Sequence, residues 1–159
     1  ELLSSIFDRL YRSDLSRTYF IEEGTYYERL KDFGVIYYMQ VYSGNVLSGE
    51  SRDRRRYSMP TVSLEDVDQA TRDKKVIELY PQFEKELKDN MVEYGRTLKS
   101  LGDNEMLVIT IKMTRCEGCG IPSSLELSLK NSVLKDLSAG KITKDAAIGK
   151  INIKKGANQ

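Results

Sequence analysis

The sequence predicts an α+β protein with a single mixed, mainly antiparallel sheet of about four to five strands and a long helix packed on one face. Three observations support this fold class. Residues 106–114 and 124–130 alternate between apolar and polar side chains, which is typical of paired strands with one wet face. Residues 35–42 are apolar on both faces, as expected of a central strand. Apolar residues also recur at steps of three and four over residues 80–101, which indicates a helix.

The N-terminal third shows shorter patterns. Residues 2–12 place apolar side chains at helical spacing and predict an N-terminal helix. Residues 18–22 are rich in aromatic and β-branched side chains and predict a short strand, whereas the polar residues 24–34 predict a loop. Residues 43–63 form a long basic loop, and loops of this length in compact domains are either functional or disordered.

The central helical region is expected to consist of two helices. Ser63 opens it, because Ser63 and Asp66 approximate a capping box. Pro81 is expected to begin the second helix, since proline costs about 3 kcal/mol inside a helix but is tolerated in the first turn. Gly102 is expected to close this helix.

The C-terminal part alternates between short elements. Residues 131–139 predict a short helix closed by Gly140, and Thr143 is expected to cap another helix that ends near Gly149. Residues 151–153 predict a last short strand. Residues 154–159 are expected to form a mobile tail.

Composition limits the class of protein. A chain of 159 residues fits a single domain over residues 1–159, large enough to fold without a metal or a disulfide. It carries 25 basic and 24 acidic residues, so no general attraction to nucleic acid or to anionic membrane is expected. No apolar run approaches the roughly 20 residues that span a bilayer, which argues against an integral membrane protein.

The sequence contains no histidine, and this excludes the commonest catalytic arrangements. Histidine is the usual general base and the commonest metal ligand. The Walker A, GxGxxG and GxSxG motifs are also missing. We therefore expect no catalytic residues and no cofactor.

The two cysteines of the chain, Cys116 and Cys119, form a CxxC between two predicted strands. They could act as a thiol–disulfide redox pair, although only Arg115 nearby would favour a thiolate. They could also be half of a zinc site, in which a symmetric dimer supplies the two missing ligands, so that the zinc is shared between chains. The third interpretation, which we favour, is structural: a local disulfide under oxidising conditions and plain thiols under reducing ones.

Two groups of side chains are candidates for binding. The first is the basic loop, in which arginines precede a tyrosine and could contact phosphates or acidic glycans: Arg52, Arg54, Arg55, Arg56 and Tyr57. Because no broader basic face accompanies them, a solvated loop is the simpler interpretation. The second is a tyrosine-lined contact surface in the first third of the chain, formed from Tyr26, Tyr27, Tyr37, Tyr38 and Tyr42. Tyr37 and Tyr38 face opposite sides of a strand, so one of them must lie in the core.

The order of segments carries one family resemblance. A strand with an extended apolar run is followed by a polar insertion, a long helix, the strand MLVITIKM and the ending KDLSAGKITKDAAIGKINI. Over residues 29–154 this layout resembles a family of uncharacterised secreted or periplasmic bacterial domains. The resemblance implies export and a removed signal peptide upstream. It implies no chemistry and no site residues, and the CxxC is not part of the family's pattern.

These observations predict a non-catalytic extracytoplasmic domain that binds another protein or a surface component. The first alternative is a thiol redox site, or a zinc site shared between subunits, at Cys116 and Cys119. The second alternative is polyanion binding through Arg52, Arg54, Arg55 and Arg56. The oligomeric state is left open by the sequence.

Overall fold

The structure is a computed structural model that describes residues 2–12, 18–21, 23–43 and 69–159. These residues form four helices and six strands. The order along the chain is α1 (Leu2–Leu10), β1 (Tyr19–Ile21), β2 (Tyr26–Leu30), β3 (Gly34–Ser43), α2 (Gln69–Gly95), β4 (Met106–Met113), β5 (Ser124–Lys130), α3 (Asn131–Ser138), α4 (Lys144–Ile148) and β6 (Asn152–Lys155).

The strands form one mixed sheet in the order β1-β3-β4-β5-β6, and β2 also pairs with β3. β3 and β4 are parallel, whereas the other four pairings are antiparallel. β1 and β2 lie end to end along the edge of β3 that β4 leaves free. The predicted fold class is confirmed, with one strand more than expected, because residues 26–30 form β2 rather than a loop.

The core lies between one face of the sheet and the helices. Tyr37, Ile109 and Leu127 are aligned across β3, β4 and β5 and are buried. Their neighbours two residues along each strand are also buried, whereas most residues of the opposite face remain partly exposed. One face is therefore dry and the other mostly wet, as the alternation in β5 predicts.

Helix α2 provides the main cover of the dry face. Phe83, Leu87 and Met91 recur at helical spacing and are buried in the core, as the sequence predicts. The backbone of α2 approaches the sheet closely at Gly95, where a Cβ atom would lie only 2.7 Å from Leu107 Cδ2. A larger residue at this position would push the helix away from β4.

The predicted break at Pro81 is wrong, because α2 continues through this residue from Gln69 to Gly95. Pro81 is exposed, so the carbonyl of Ile77 that lacks its helical donor lies on the solvent side, where water can satisfy it. The helix also ends earlier than Gly102. Turns follow Gly95, and they carry Leu101 back into the core.

The N-terminal helix packs against α2 through aromatic rings. α1 ends at Leu10 rather than at residue 12, and Arg12 instead forms a bridge to Ile21 of β1. The Tyr19 ring stacks on Phe83 at 4.4 Å, and its hydroxyl donates to the Val76 carbonyl at 2.6 Å. Tyr11, the residue after α1, meets the same Phe83 ring edge to face at 6.0 Å, so both α1 and β1 are joined to the main helix.

The short C-terminal helices agree with the sequence patterns. Thr143 caps α4 by accepting a hydrogen bond from the Ala146 N–H, and α4 packs on α2. The mobile tail predicted over residues 154–159 is corrected. Lys154 and Lys155 belong to β6, and the residues after them pair with the loop between β4 and β5. Of the predicted basic loop 43–63, Ser43 belongs to β3, and the rest lies outside the described residues.

The packing of α2 yields a stability prediction. Leu87→Ala should lower the free energy of unfolding by about 2–5 kcal/mol, because it removes a fully buried side chain and leaves a cavity. Ile77→Ala on the same helix is the control, since Ile77 is 45% exposed and should cost well under half as much. Urea denaturation of both variants measures the difference. Equal losses would contradict the orientation of α2.

Candidate functional site

The CxxC lies in the loop between β4 and β5, where Cys116 and Cys119 form a disulfide. The Cys119 N–H donates to the Cys116 carbonyl at 3.2 Å, which closes the turn. Gly118 and Gly120 adopt φ values of 76° and 67°, a region that other residues rarely occupy. Cys116 and Cys119 are only 1% and 4% exposed, so the sulfurs face the protein rather than solvent.

Helix α2 brings a carboxylate to the disulfide. Asp73 lies near the start of α2, and its Oδ1 is 3.7 Å from Cys116 Sγ. The carboxylate oxygen and the two sulfurs all lie within 4.8 Å of one another. Val76, three residues further along α2, is fully buried. This helix face is therefore fixed against the sheet, and Asp73 is held beside the CxxC loop.

The last residues of the chain brace the same loop from its other side. The Gln159 side chain accepts from the Cys116 N–H at 3.3 Å and donates to the Thr114 carbonyl at 2.9 Å. Its backbone accepts from the Gly120 N–H at 2.6 Å and donates to the Ile121 carbonyl at 3.0 Å. The CxxC loop is thus held by hydrogen bonds that the disulfide does not supply.

A charged cluster anchors α2 to the strand that leads into this brace. Glu84 of α2 accepts from Lys155 of β6 at 2.6 Å, from Lys88 at 2.8 Å and from the Tyr80 hydroxyl at 3.1 Å. Burial opposes ionisation of Glu84, but these three hydrogen bonds outweigh it and lower its pKa from 4.5 to about 2. Burial and the Glu84 charge together raise the pKa of Tyr80.

The second notable surface is the β2–β3 hairpin. We call its exposed large hydrophobic side chains the aromatic patch: Tyr26, Leu30 and Tyr38 on the wet face of the sheet, Tyr27 on the opposite face beside Tyr37, and Phe33 in the turn. They are five of the seven exposed large hydrophobic residues found among the described residues. Tyr26, at 66% exposure, lies directly opposite Tyr38, at 39%. Every residue of β2 is exposed.

The hairpin is fixed to the sheet by one glycine and one ion pair. Gly34 begins the parallel pairing with β4, and a Cβ atom there would lie 2.0 Å from the Met106 carbonyl oxygen. Arg29 of β2 donates to both carboxylate oxygens of Glu105 at 2.8 Å. The hydrogen bond from Arg29, followed by one from the Gly102 N–H, lowers the pKa of Glu105. The aromatic patch is therefore presented on an anchored strand pair.

A cavity of about 260 Å³ lies between α2 and the N-terminal elements, and its walls include Tyr11, Tyr19 and Phe83. Its two polar α2 residues, Gln82 and Glu86, hydrogen-bond each other at 2.9 Å. No pair of acidic residues converges on it within the described part of the chain.

The structure describes some of the predicted site residues and not others. The disulfide is compatible with both the structural and the thiol–disulfide redox interpretations of Cys116 and Cys119, and both stay predictions. The shared-zinc interpretation stays a prediction, but Asp73 of the same chain supplies a third possible ligand atom. Tyr37 is buried and Tyr38 is exposed, as the strand pattern predicts, and burial followed by the neighbouring Tyr27 raises the pKa of Tyr37 to about 12. The proposed polyanion contacts lie outside the described residues: Arg52, Arg54, Arg55, Arg56 and Tyr57.

Sequence reasoning missed Asp73 and the brace by Gln159. Asp73 is one acidic residue among many near the start of a helix, and nothing local to it points to a cysteine 43 residues away. A weak signal for Gln159 existed in Ile151 and Ile153, because the strand they predict brings the chain end to the edge of β5.

Comparison with known proteins identifies no family: no protein-family model, no curated protein and no solved structure matches this chain. The resemblance to secreted or periplasmic bacterial domains therefore stays a prediction. In the part of the chain that the structure describes, none of the helices combines the length and apolarity needed to cross a bilayer.

The Glu84 cluster predicts how stability depends on pH. The pKa of Glu84 is lower in the folded state than in the unfolded chain, so its ionisation stabilises the fold above about pH 4.5. That contribution, on the order of 1–2 kcal/mol after allowance for solvent screening, is lost as the pH falls from about 4.5 to about 2. Glu84→Gln should lower the free energy of unfolding at pH 7 and flatten its fall in this window. Urea denaturation at a series of pH values measures both effects.

The control for this experiment is Glu78→Gln, also on α2. Glu78 is exposed and pairs only loosely with Lys74, at 3.9 Å. The Glu78→Gln substitution should therefore change the pH dependence of the free energy of unfolding little. If the wild type and Glu84→Gln lose stability in parallel between pH 4.5 and 2, the role assigned to Glu84 is wrong.

Proposed function

We propose that this protein is a non-catalytic, extracytoplasmic binding domain that recognises an extended segment of another protein at the aromatic patch. The observation that carries the proposal is the concentration of exposed large hydrophobic side chains in one hairpin. Such clustering is unusual on a surface without a partner, whereas hydrophobic residues exposed singly are ordinary. Tyrosine and phenylalanine are also side chains that binding surfaces favour.

The edge position of β2 favours a polypeptide partner. β2 pairs with β3 on one side, and no described residue pairs with its outer edge. An edge strand offers alternating N–H and C=O groups that an added strand can match along its whole length. The aromatic side chains on either side of this edge, Tyr26 and Tyr27, would provide the apolar contacts. Nucleic acids and glycans do not offer that regular backbone pattern.

Charge also favours a protein partner over a polyanion. The whole chain has 25 basic and 24 acidic residues. Around the aromatic patch both signs alternate, with Glu28 and Arg29 adjacent and Lys31 and Asp32 following. A surface of this kind gives no net attraction to phosphates, but it can set the register of a bound peptide through individual ion pairs.

The extracytoplasmic assignment rests on the disulfide between Cys116 and Cys119. Structural disulfides persist in oxidising compartments and are rare in the reducing cytosol. The family resemblance implied by the order of segments points in the same direction.

The proposal predicts that two patch tyrosines dominate binding. A phage-displayed library of random peptides is selected on the wild-type protein, and the enriched peptides are synthesised as probes. They should have alternating apolar residues, and their binding should shift the backbone amide resonances of β2. Replacing both tyrosines, Tyr26→Ser with Tyr38→Ser, should weaken binding at least about 30-fold, the loss typical of residues that dominate an interface. Isothermal titration calorimetry measures the loss.

The matched control replaces two exposed hydrophobic residues outside the hairpin, Leu2→Ser with Ile77→Ser. It should leave affinity unchanged. Stability should change by about 0.5 kcal/mol or less per exposed patch substitution, which separates binding from folding. Three results would overturn the proposal: enriched peptides that bind the double tyrosine variant equally well, resonance shifts away from β2, or a dimer of this chain that the tyrosine variant abolishes.

A further inference from the structure

We propose that the reduced protein binds one Zn²⁺ ion per chain through the thiolates of Cys116 and Cys119 and the carboxylate of Asp73. The site goes beyond the proposed binding function and is independent of it. Disulfide and metal site would then be alternative states of one loop, selected by the redox conditions.

The ligand types suit zinc. Zinc is bound in proteins by thiolates, imidazoles and carboxylates, and sites with two cysteines and one further ligand leave a fourth position for water. Alkaline-earth ions prefer oxygen ligands alone, so the two sulfurs select against them. Two thiolates and one carboxylate bring three negative charges to a divalent ion, which favours its retention.

The distances suit zinc as well. With Zn–S and Zn–O bonds of about 2.3 and 2.0 Å, tetrahedral angles place a sulfur and an oxygen ligand about 3.5 Å apart. Asp73 Oδ1 already lies 3.7 Å from Cys116 Sγ. The third atom, Cys119 Sγ, lies within 4.8 Å of both. After the S–S bond opens, the two sulfurs need a separation of about 3.8 Å, which rotation of the side chains can supply.

The loop around the site is already organised for this role. Gly118 and Gly120 hold the turn in left-handed conformations, which residues with a side chain rarely adopt. Gln159 fixes the loop through the Cys116 N–H and the Thr114 carbonyl. Because these contacts do not use the sulfurs, the loop can keep its shape when the disulfide opens. A preorganised ligand set binds metal more tightly than a flexible one.

The conversion between the two states balances as two steps. A dithiol reductant gives two electrons and two protons: its own sulfurs join as a disulfide, and the bond between Cys116 and Cys119 breaks to give two thiols. Zn²⁺ then binds both sulfurs and the Asp73 carboxylate, and the two thiol protons are released to solvent. In the reverse direction a small disulfide oxidant accepts the two electrons, takes up two protons from solvent and becomes two thiols, while the bond between Cys116 and Cys119 forms again and the ion is released.

Cobalt(II) titration tests the site, because a tetrahedral Co²⁺–thiolate centre has a visible absorption spectrum. The disulfide is reduced with a phosphine, which competes less for the metal than a dithiol does. The reduced wild type should bind one Co²⁺ per chain, and Zn²⁺ should displace it. The oxidised protein should show no thiolate–cobalt band.

Matched variants identify the third ligand. Asp73→Asn keeps the shape but loses the charge, and it should weaken Co²⁺ binding at least about tenfold. Asp73→Glu restores a carboxylate and should recover much of the affinity. Glu117→Gln removes an exposed carboxylate of the same loop, which pairs with Arg115, and should change nothing. Circular dichroism in the oxidised state checks that each variant is folded.

The inference is overturned if the reduced wild type binds no Co²⁺ at micromolar concentration, or if Asp73→Asn binds as tightly as the wild type. One ion per two chains would also overturn it, since that stoichiometry belongs to a site shared between subunits. X-ray absorption of the Zn²⁺-loaded wild type needs no variant: two sulfur neighbours and at least one oxygen neighbour support the site, whereas four sulfurs contradict it.

Discussion

The packing of α2 against the dry face of the sheet is the constraint on which the other features depend. Val76, Phe83, Leu87 and Met91 are buried along one side of the helix, and this fixes its rotation about its own axis. The same rotation carries Asp73 to the CxxC loop and Glu84 to β6. The hydrophobic packing of α2 thus places the carboxylates of Asp73 and Glu84 beside the groups that they contact.

The two notable surfaces are offset along the parallel strand pair. The hairpin turn is next to the start of β3 and β4, where Gly34 meets Met106, and the CxxC loop follows the end of β4. The aromatic patch extends along β3 as far as Tyr38, which aligns with Thr110, so about 10 Å of strand lies between Tyr38 and the end of β4. β2 is also two strand spacings, about 10 Å, from β4, and a partner strand on its outer edge would lie one spacing further from the CxxC loop.

The sequence patterns were accurate where burial is periodic and weak where it is not. β4, β5 and the stripe on α2 bury every second or every third to fourth residue, and that period is visible in the amino acids. β2 is exposed along its whole length, so no alternation distinguishes it from a loop, and only pairing with β3 makes it a strand. Pro81 predicts a break because proline is unfavourable inside a helix. The break does not form, since Pro81 lies on the solvent side of α2 and the burial of neighbouring residues outweighs the local cost of the proline.

The sequence by itself determined the α+β class, the dry and wet faces of the sheet, the loop that holds the two cysteines and the lack of a histidine-based catalytic site. These follow from composition and from periods of two and 3.6 residues, which act over short distances along the chain. Only the tertiary structure decided that Asp73 and Gln159 meet the cysteines and that the exposed aromatic side chains gather in one hairpin. Such contacts join residues far apart in the chain, and their geometry depends on how the helix and the strands pack as whole bodies.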